Sequence, residues 1–234
     1  MRTFLILASL AAAASPAGAA TRNFGVSSFD KIRVEGPYRI KLTVGVPVSA
    51  KATGSSTAAL DRVSIETQGS TLIVHPNRST WGGYPGGDPG PIAIEIGTHD
   101  LVSAWLNGSG ALDINKVKGL TFDLSVQGSG STTIAQVDVD QLNVSIGGTA
   151  NASLAGRAAK ITAVIRGMSS LDATALTSKD ATFGAEGAAT IKAVVTNSAK
   201  IDGSGPGTIV LTGRPACTVR VSGSTSVSGC KSSQ

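Results

Sequence analysis

Seven stretches of the chain repeat one instruction: an alternating apolar run, a break of small residues, then a second apolar run. Two of them read AWLNGSGALDI at 104–114 and FDLSVQGSGSTTI at 122–134. Taking Gly108, Gly128, Gly148, Gly167, Ala185, Gly203 and Gly223 as equivalent anchors gives intervals of 20, 20, 19, 18, 18 and 20 residues. A sustained period near twenty is the mark of a repeat architecture, in which no unit buries its apolar face without its neighbours. Two positions before the anchors stand Leu106, Val126, Ile146, Ile165, Phe183, Ile201 and Val221. Four before stand Ala104, Leu124, Val144, Ala163, Ala181, Ala199 and Val219, while the residues one before are never aliphatic. Alternation with period two is a strand with one buried face. Six after the anchors come Ile114, Ile134, Leu154, Ala173, Ile191 and Ile209, a second strand. The Gly-Ser-Gly is then a corner, where glycine admits backbone angles closed to other residues.

Successive coils stacked this way pair their backbones about 4.8 Å apart, with like side chains in ladders. The prediction is an all-β chain: a right-handed parallel β-solenoid, or β-helix, with roughly 20-residue coils, regular over 94–230, with a short tail at 231–234. A β-sandwich explains the alternation but not the recurrent corner. Aromatic residues make up 4% and charged residues 15%, which suits thin stacked layers better than a thick core. The middle corners, GGTA at 147–150, GMSS at 167–170 and AEGA at 185–188, are degraded and predict less regular coils. Residues 20–93 follow a looser pattern. FDKIRVEG and VSIETQG end at Gly36 and Gly69, 33 residues apart and off the period. This irregular N-terminal β region is expected to form loose coils or a small sheet over the solenoid's open end, where an edge would otherwise be exposed.

The first nineteen residues have the layout of a secretory signal peptide: Arg2, an apolar run over 4–14, and a small-residue site at Ala17-Gly18-Ala19. Export to the periplasm or beyond is predicted, with 20–234 as a single solenoid domain. No later run is long and apolar enough to span a bilayer as a helix. Net charge is +5, but the basic residues are scattered singly without aromatic interleaving, which disfavours nucleic acid as a partner. Cys217 and Cys230 are the only cysteines, and in an exported chain they are predicted to pair. A metal site would need ligands that are missing around them.

FDKIRVEG at 29–36, YRIKLTVG at 38–45, LIVHP at 72–76, the serial GSG corners and GTIVLTGRPACTVRVSGSTSV at 207–227 together resemble the bacterial auto-transporter adhesin family, head GIN domain. The resemblance covers about 28–230 and implies an exported β-helical domain with an adhesin-like role. CKSSQ follows the repeat directly, so self-display through a barrel of the chain's own is not expected.

No catalytic signature emerges. Asp113 and Asp172 share a column three coils apart, about 14 Å, too far to flank one glycosidic bond. Asp138 and Asp140 alternate in VDVD and read as a solvated strand edge. His75 and His99 lack partner motifs, and no nucleophile elbow or phosphate loop is present. The segment PNRSTWGGYPGGDPGP at 76–91 carries Trp81 and Tyr84, and Trp105 sits at an outward position. These three are the candidate binding residues, either covering an apolar patch or forming an aromatic platform. The reading is a non-enzymatic exported solenoid without cofactor or metal, offering a flat face to a cell-surface glycan or envelope protein. The alternatives are a carbohydrate-active protein using Asp113, Asp138 or Asp140, and a self-associating matrix component.

Overall fold

The computed structural model describes residues 19–77 and 91–231. Among the described residues seventeen strands join one continuous sheet. In chain order they are β1 (Ala20–Phe24), β2 (Lys31–Glu35), β3 (Arg39–Val44), β4 (Ser49–Gly54), β5 (Val63–Gln68), β6 (Thr71–Pro76), β7 (Ala93–Thr98), β8 (Ser103–Gly108) and β9 (Ala111–Ile114). The longer strands β10 (Val117–Gly128), β11 (Ser131–Gly148), β12 (Asn151–Arg166), β13 (Ser170–Glu186) and β14 (Thr190–Ser204) follow, then β15 (Thr208–Thr212), β16 (Ala216–Ser222) and β17 (Ser226–Ser228). A short helix, α1 (Thr57–Leu60), is capped by Ser56, whose Oγ accepts from Ala59 N at 3.2 Å.

From β8 onward the strands pair in parallel, each coil on the next, and the chain is a β-solenoid. Leu106, Val126 and Ile146 lie in one column, each no more than 1% exposed. Leu124, Val144 and Ala163 form the adjacent column. At roughly 1.5–3 kcal/mol for each fully buried aliphatic side chain, these ladders are the main source of stability. A third paired run, which alternation alone did not reveal, closes each coil: Val117, Val137 and Val139 are buried there. Register irregularities fall in or beside this run, between Ile134 and Val137 and between Ala173 and Thr177.

Two expectations change. Gly108, Gly128, Gly148, Gly167 and Gly223 sit at corners with positive φ, but the next anchors are Gly187 and Gly205, not Ala185 and Gly203. Gly203 lies within β14, opposite Ala185 and Val221. Phe183 therefore faces Ala163 and Ile201, one step from its assigned column, and remains fully buried because a slip of two preserves inward and outward parity. Two of the three middle corners are also as regular as the Gly-Ser-Gly ones. Thr149 N donates to Gly128 O at 2.8 Å and Met168 N to Gly148 O at 2.9 Å, the same bond as Ser129 N to Gly108 O at 3.0 Å. The corner needs glycine at its first position and a small buried residue at its third; Ala150, Ser169 and Ala189 serve there.

The N-terminal region holds a genuine coil, inserted out of order. β2 and β3 form a rung around Gly36, flanked on one side by β6 and β7 and on the other by β8 and β9. The chain builds this rung, leaves it, lays β6–β7 outside it and returns to add β8–β9. Antiparallel strands then seal the end: β4 and then β1 extend from β7, and β5 folds onto β6. Arg22 of β1 pairs with Asp61 at 2.6 Å, beside α1. Where β9 ends, the Asn115 amide continues the ladder, its Oδ1 accepting from Val44 N at 2.8 Å. At the far end Cys217 and Cys230 are disulfide-bonded, closing the last rung with a loop worth about 3 kcal/mol in the chain-entropy model.

Candidate functional site

Threading β2 between β6 and β8 assembles an outward surface from three distant parts of the sequence. Ile73, Arg33 and Trp105 share one outward column. His75, Glu35 and Asn107 follow them, two residues further along β6, β2 and β8. The Arg33 guanidinium lies 3.9 Å from the centroid of the Trp105 ring. Its Nε donates to Glu35 Oε1 at 2.7 Å and its Nη2 stands 2.5 Å from the same oxygen. Arg33 is thus held by a carboxylate on its own strand and by an aromatic face across the rung. Trp105 remains half-buried, with only Ser125 as its column neighbour on the other side.

β5 raises a wall along β6. Gln68 Nε2 donates to Glu66 Oε1 at 2.9 Å, and His75 Nε2 approaches that oxygen at 3.4 Å. His75 Nδ1 is 2.9 Å from Pro76 O. Between wall and rung lies a groove of about 580 Å³, lined by Arg33, Glu35, Glu66, Gln68, His75 and Asn107 over Ile73 and the corner backbone of Gly36 and Gly108. Its chemistry is that of a recognition surface. It offers carboxylate acceptors and amide and guanidinium donors close together, with Trp105 beside it under Arg33, while Glu35 and Glu66 are each engaged by a neighbouring side chain.

The carboxylates singled out in the sequence do not converge here. Asp113 lies on the second run, in a column with Thr133, Ser153 and Asp172. Asp138 lies on the third run, where Arg157 Nε and Nη2 donate to its two oxygens at 2.7 and 3.1 Å and hold its carboxyl below the usual carboxylate range. Asp140 is exposed on the same strand. Among the described residues, no group of three or more His, Cys, Asp or Glu side chains is arranged to hold a metal ion. Trp81 and Tyr84 lie outside the described residues. None of the groove-lining residues was marked as a binding candidate from the sequence; Trp105, which was, stands beside the groove next to Arg33. Arg33 was legible in principle: it stands three before Gly36, as Trp105 stands three before Gly108.

The comparisons agree with this architecture. A putative adhesin from Bacteroides fragilis superposes with a TM-score of 0.76 at 18% identity, covering 90% of this chain and 96% of its own. A protein described as a putative lipid binding protein from Parabacteroides distasonis gives 0.71 at 19% identity, covering 91% and 96%. A putative adhesin from Parabacteroides merdae gives 0.64 at 18%, covering 91% and 96%. At these identities the likeness shows the fold. No curated relative matches the sequence. No helix among the described residues is long and apolar enough to cross a membrane. The sequence model of the family described as putative auto-transporter adhesin, head GIN domain, matches residues 28–215, and the chain belongs to that family.

Proposed function

We propose that the protein is exported and acts without catalysis, as a rigid solenoid that holds a cell-surface glycan or envelope partner at the groove beside Trp105. The observation that carries this reading is the Arg33–Trp105–Glu35 cluster at the groove's edge, a half-buried aromatic with charged and amide groups set around it. A sugar ring presents an apolar face to an aromatic and hydroxyls to polar neighbours, and this grouping supplies both. The adhesin description of the family and the disulfide support export and binding. Trp81 and Tyr84 join the proposed contact set on sequence grounds, five and eight residues beyond the groove residue Pro76.

The test is a glycan and envelope-extract binding screen on the protein from residue 20 onward, with hydrolysis products measured in parallel. Trp105→Ala is expected to weaken the retained interaction at least tenfold while far-UV dichroism stays unchanged. Saccharide turnover, or binding indifferent to both Trp105→Ala and Arg33→Ala, would overturn the proposal.

A further inference from the structure

The two ends of the solenoid are finished differently. The first rungs are covered by the antiparallel strands β1, β4 and β5. At the other end β16 pairs only with β14, and β17 only with β15, so the outer edge of the last rung has no strand against it among the described residues. Its inward side chains are stripped of one neighbour: Val219 is 44% exposed and Val221 41%, whereas Ile201, which pairs with Val219 one rung in, is fully buried. Along the last rung itself the charge is of one sign. From Gly203 to Lys231 the chain carries Arg214, Arg220 and Lys231 and no acidic residue. All three are exposed, and none forms an ion pair within 4 Å among the described residues. Arg214 and Lys231 are close in space, since Lys231 N donates to Pro215 O at 2.9 Å. Asp202, one rung in, shares a column with Arg220 and lies 3.8 Å from Lys200.

We infer that this end docks on an anionic phospholipid surface, with Arg214, Arg220 and Lys231 on headgroup phosphates and Val219 and Val221 in the interface. Exposed aliphatic side chains on an edge strand, with Arg220 between them in sequence and Arg214 and Lys231 on the segments that flank the strand, match that chemistry. Charge decides against a second copy as occupant. Head-to-head pairing of β16 would bring two sets of three unpaired cations together. Docked in this way, the solenoid stands on its last rung and carries the Trp105 groove on its outer rungs.

The experiment is co-sedimentation of the full chain from residue 20 with vesicles of phosphatidylcholine containing 30% phosphatidylglycerol. Each basic residue near such a surface contributes roughly fivefold in partition. Arg220→Gln is expected to reduce binding about fivefold, and Arg214→Gln/Arg220→Gln/Lys231→Gln about 100-fold. Val219→Asn/Val221→Asn reduces it further, 0.5 M salt releases the protein, and Lys51→Gln at the opposite end leaves it unchanged. The inference is overturned by equal binding to pure phosphatidylcholine or by the triple variant binding as well as the parent with its disulfide intact. It is equally overturned if sedimentation velocity shows a dimer that Val219→Asn dissolves.

Discussion

Replacing Gly148 with Ala probes the corner on which the stacking depends. Gly148 has φ +93°, and a Cβ there would stand 2.3 Å from Gly128 O and 3.1 Å from its carbonyl carbon. Side-chain carbons essentially never approach closer than 3.0 Å, so the two rungs must part by roughly 0.7 Å. That movement stretches the 2.8 Å bond from Thr149 N to Gly128 O. Positive φ costs an L-residue about 1–2 kcal/mol, a weakened hydrogen bond about 1 kcal/mol, and local overpacking about 1–2 kcal/mol more. The expected loss is about 3–5 kcal/mol on those terms. Gly69→Ala is the control: φ is +60° with nothing within 4 Å of the added carbon, so only the conformational cost of about 1–2 kcal/mol applies. Urea denaturation followed by far-UV dichroism and by tryptophan emission measures both. A Gly148→Ala variant no more destabilised than Gly69→Ala would show that the rungs do not meet at this corner.

Two buried threonines give opposite signs under the same substitution. Thr98 is fully buried and its Oγ1 donates to Phe29 O at 2.7 Å, so Thr98→Val strands a carbonyl and is expected to cost about 1–3 kcal/mol. Thr132 Oγ1 is buried without a hydrogen-bond partner, so Thr132→Val is expected to raise the unfolding free energy by about 1 kcal/mol. The Asp138 carboxyl, lowered by the hydrogen bonds from Arg157, contributes stability above its unfolded value near 4 that is lost as pH falls through its folded value. An NMR titration is expected to place Asp138 below the ordinary aspartate range and to show Arg157→Gln returning it there.

The solenoid was legible because its information is carried in parity. Val126 and Ile146 need only be apolar at the right interval, and every second residue between Phe122 and Ile134 obeys that rule apart from the corner and the buried Thr132. Parity is also why the anchor could slip unnoticed to Ala185 and Gly203. A two-residue shift keeps Phe183 and Ile201 pointing inward, and only cross-rung pairing reveals the offset. The short third run hid for a related reason, since its length varies between coils and erases the period there. The groove was less legible. Arg33, His75 and Trp105 are brought together by a rung laid down out of order, and the 33-residue interval between Gly36 and Gly69 recorded an interruption without saying what filled it.

The inserted rung underlies both the stack and the groove, and one cross-link tests it. Glu35 on β2 and Asn107 on β8 are paired residues on neighbouring rungs, 72 positions apart in sequence. In Glu35→Cys/Asn107→Cys a short thiol-reactive cross-linker is expected to join the two sites rapidly within a monomer. The pair Glu35→Cys/Gln127→Cys, with β8 interposed, should react far more slowly. Faster linkage in the second variant than in the first would contradict the threading and dissolve the groove with it.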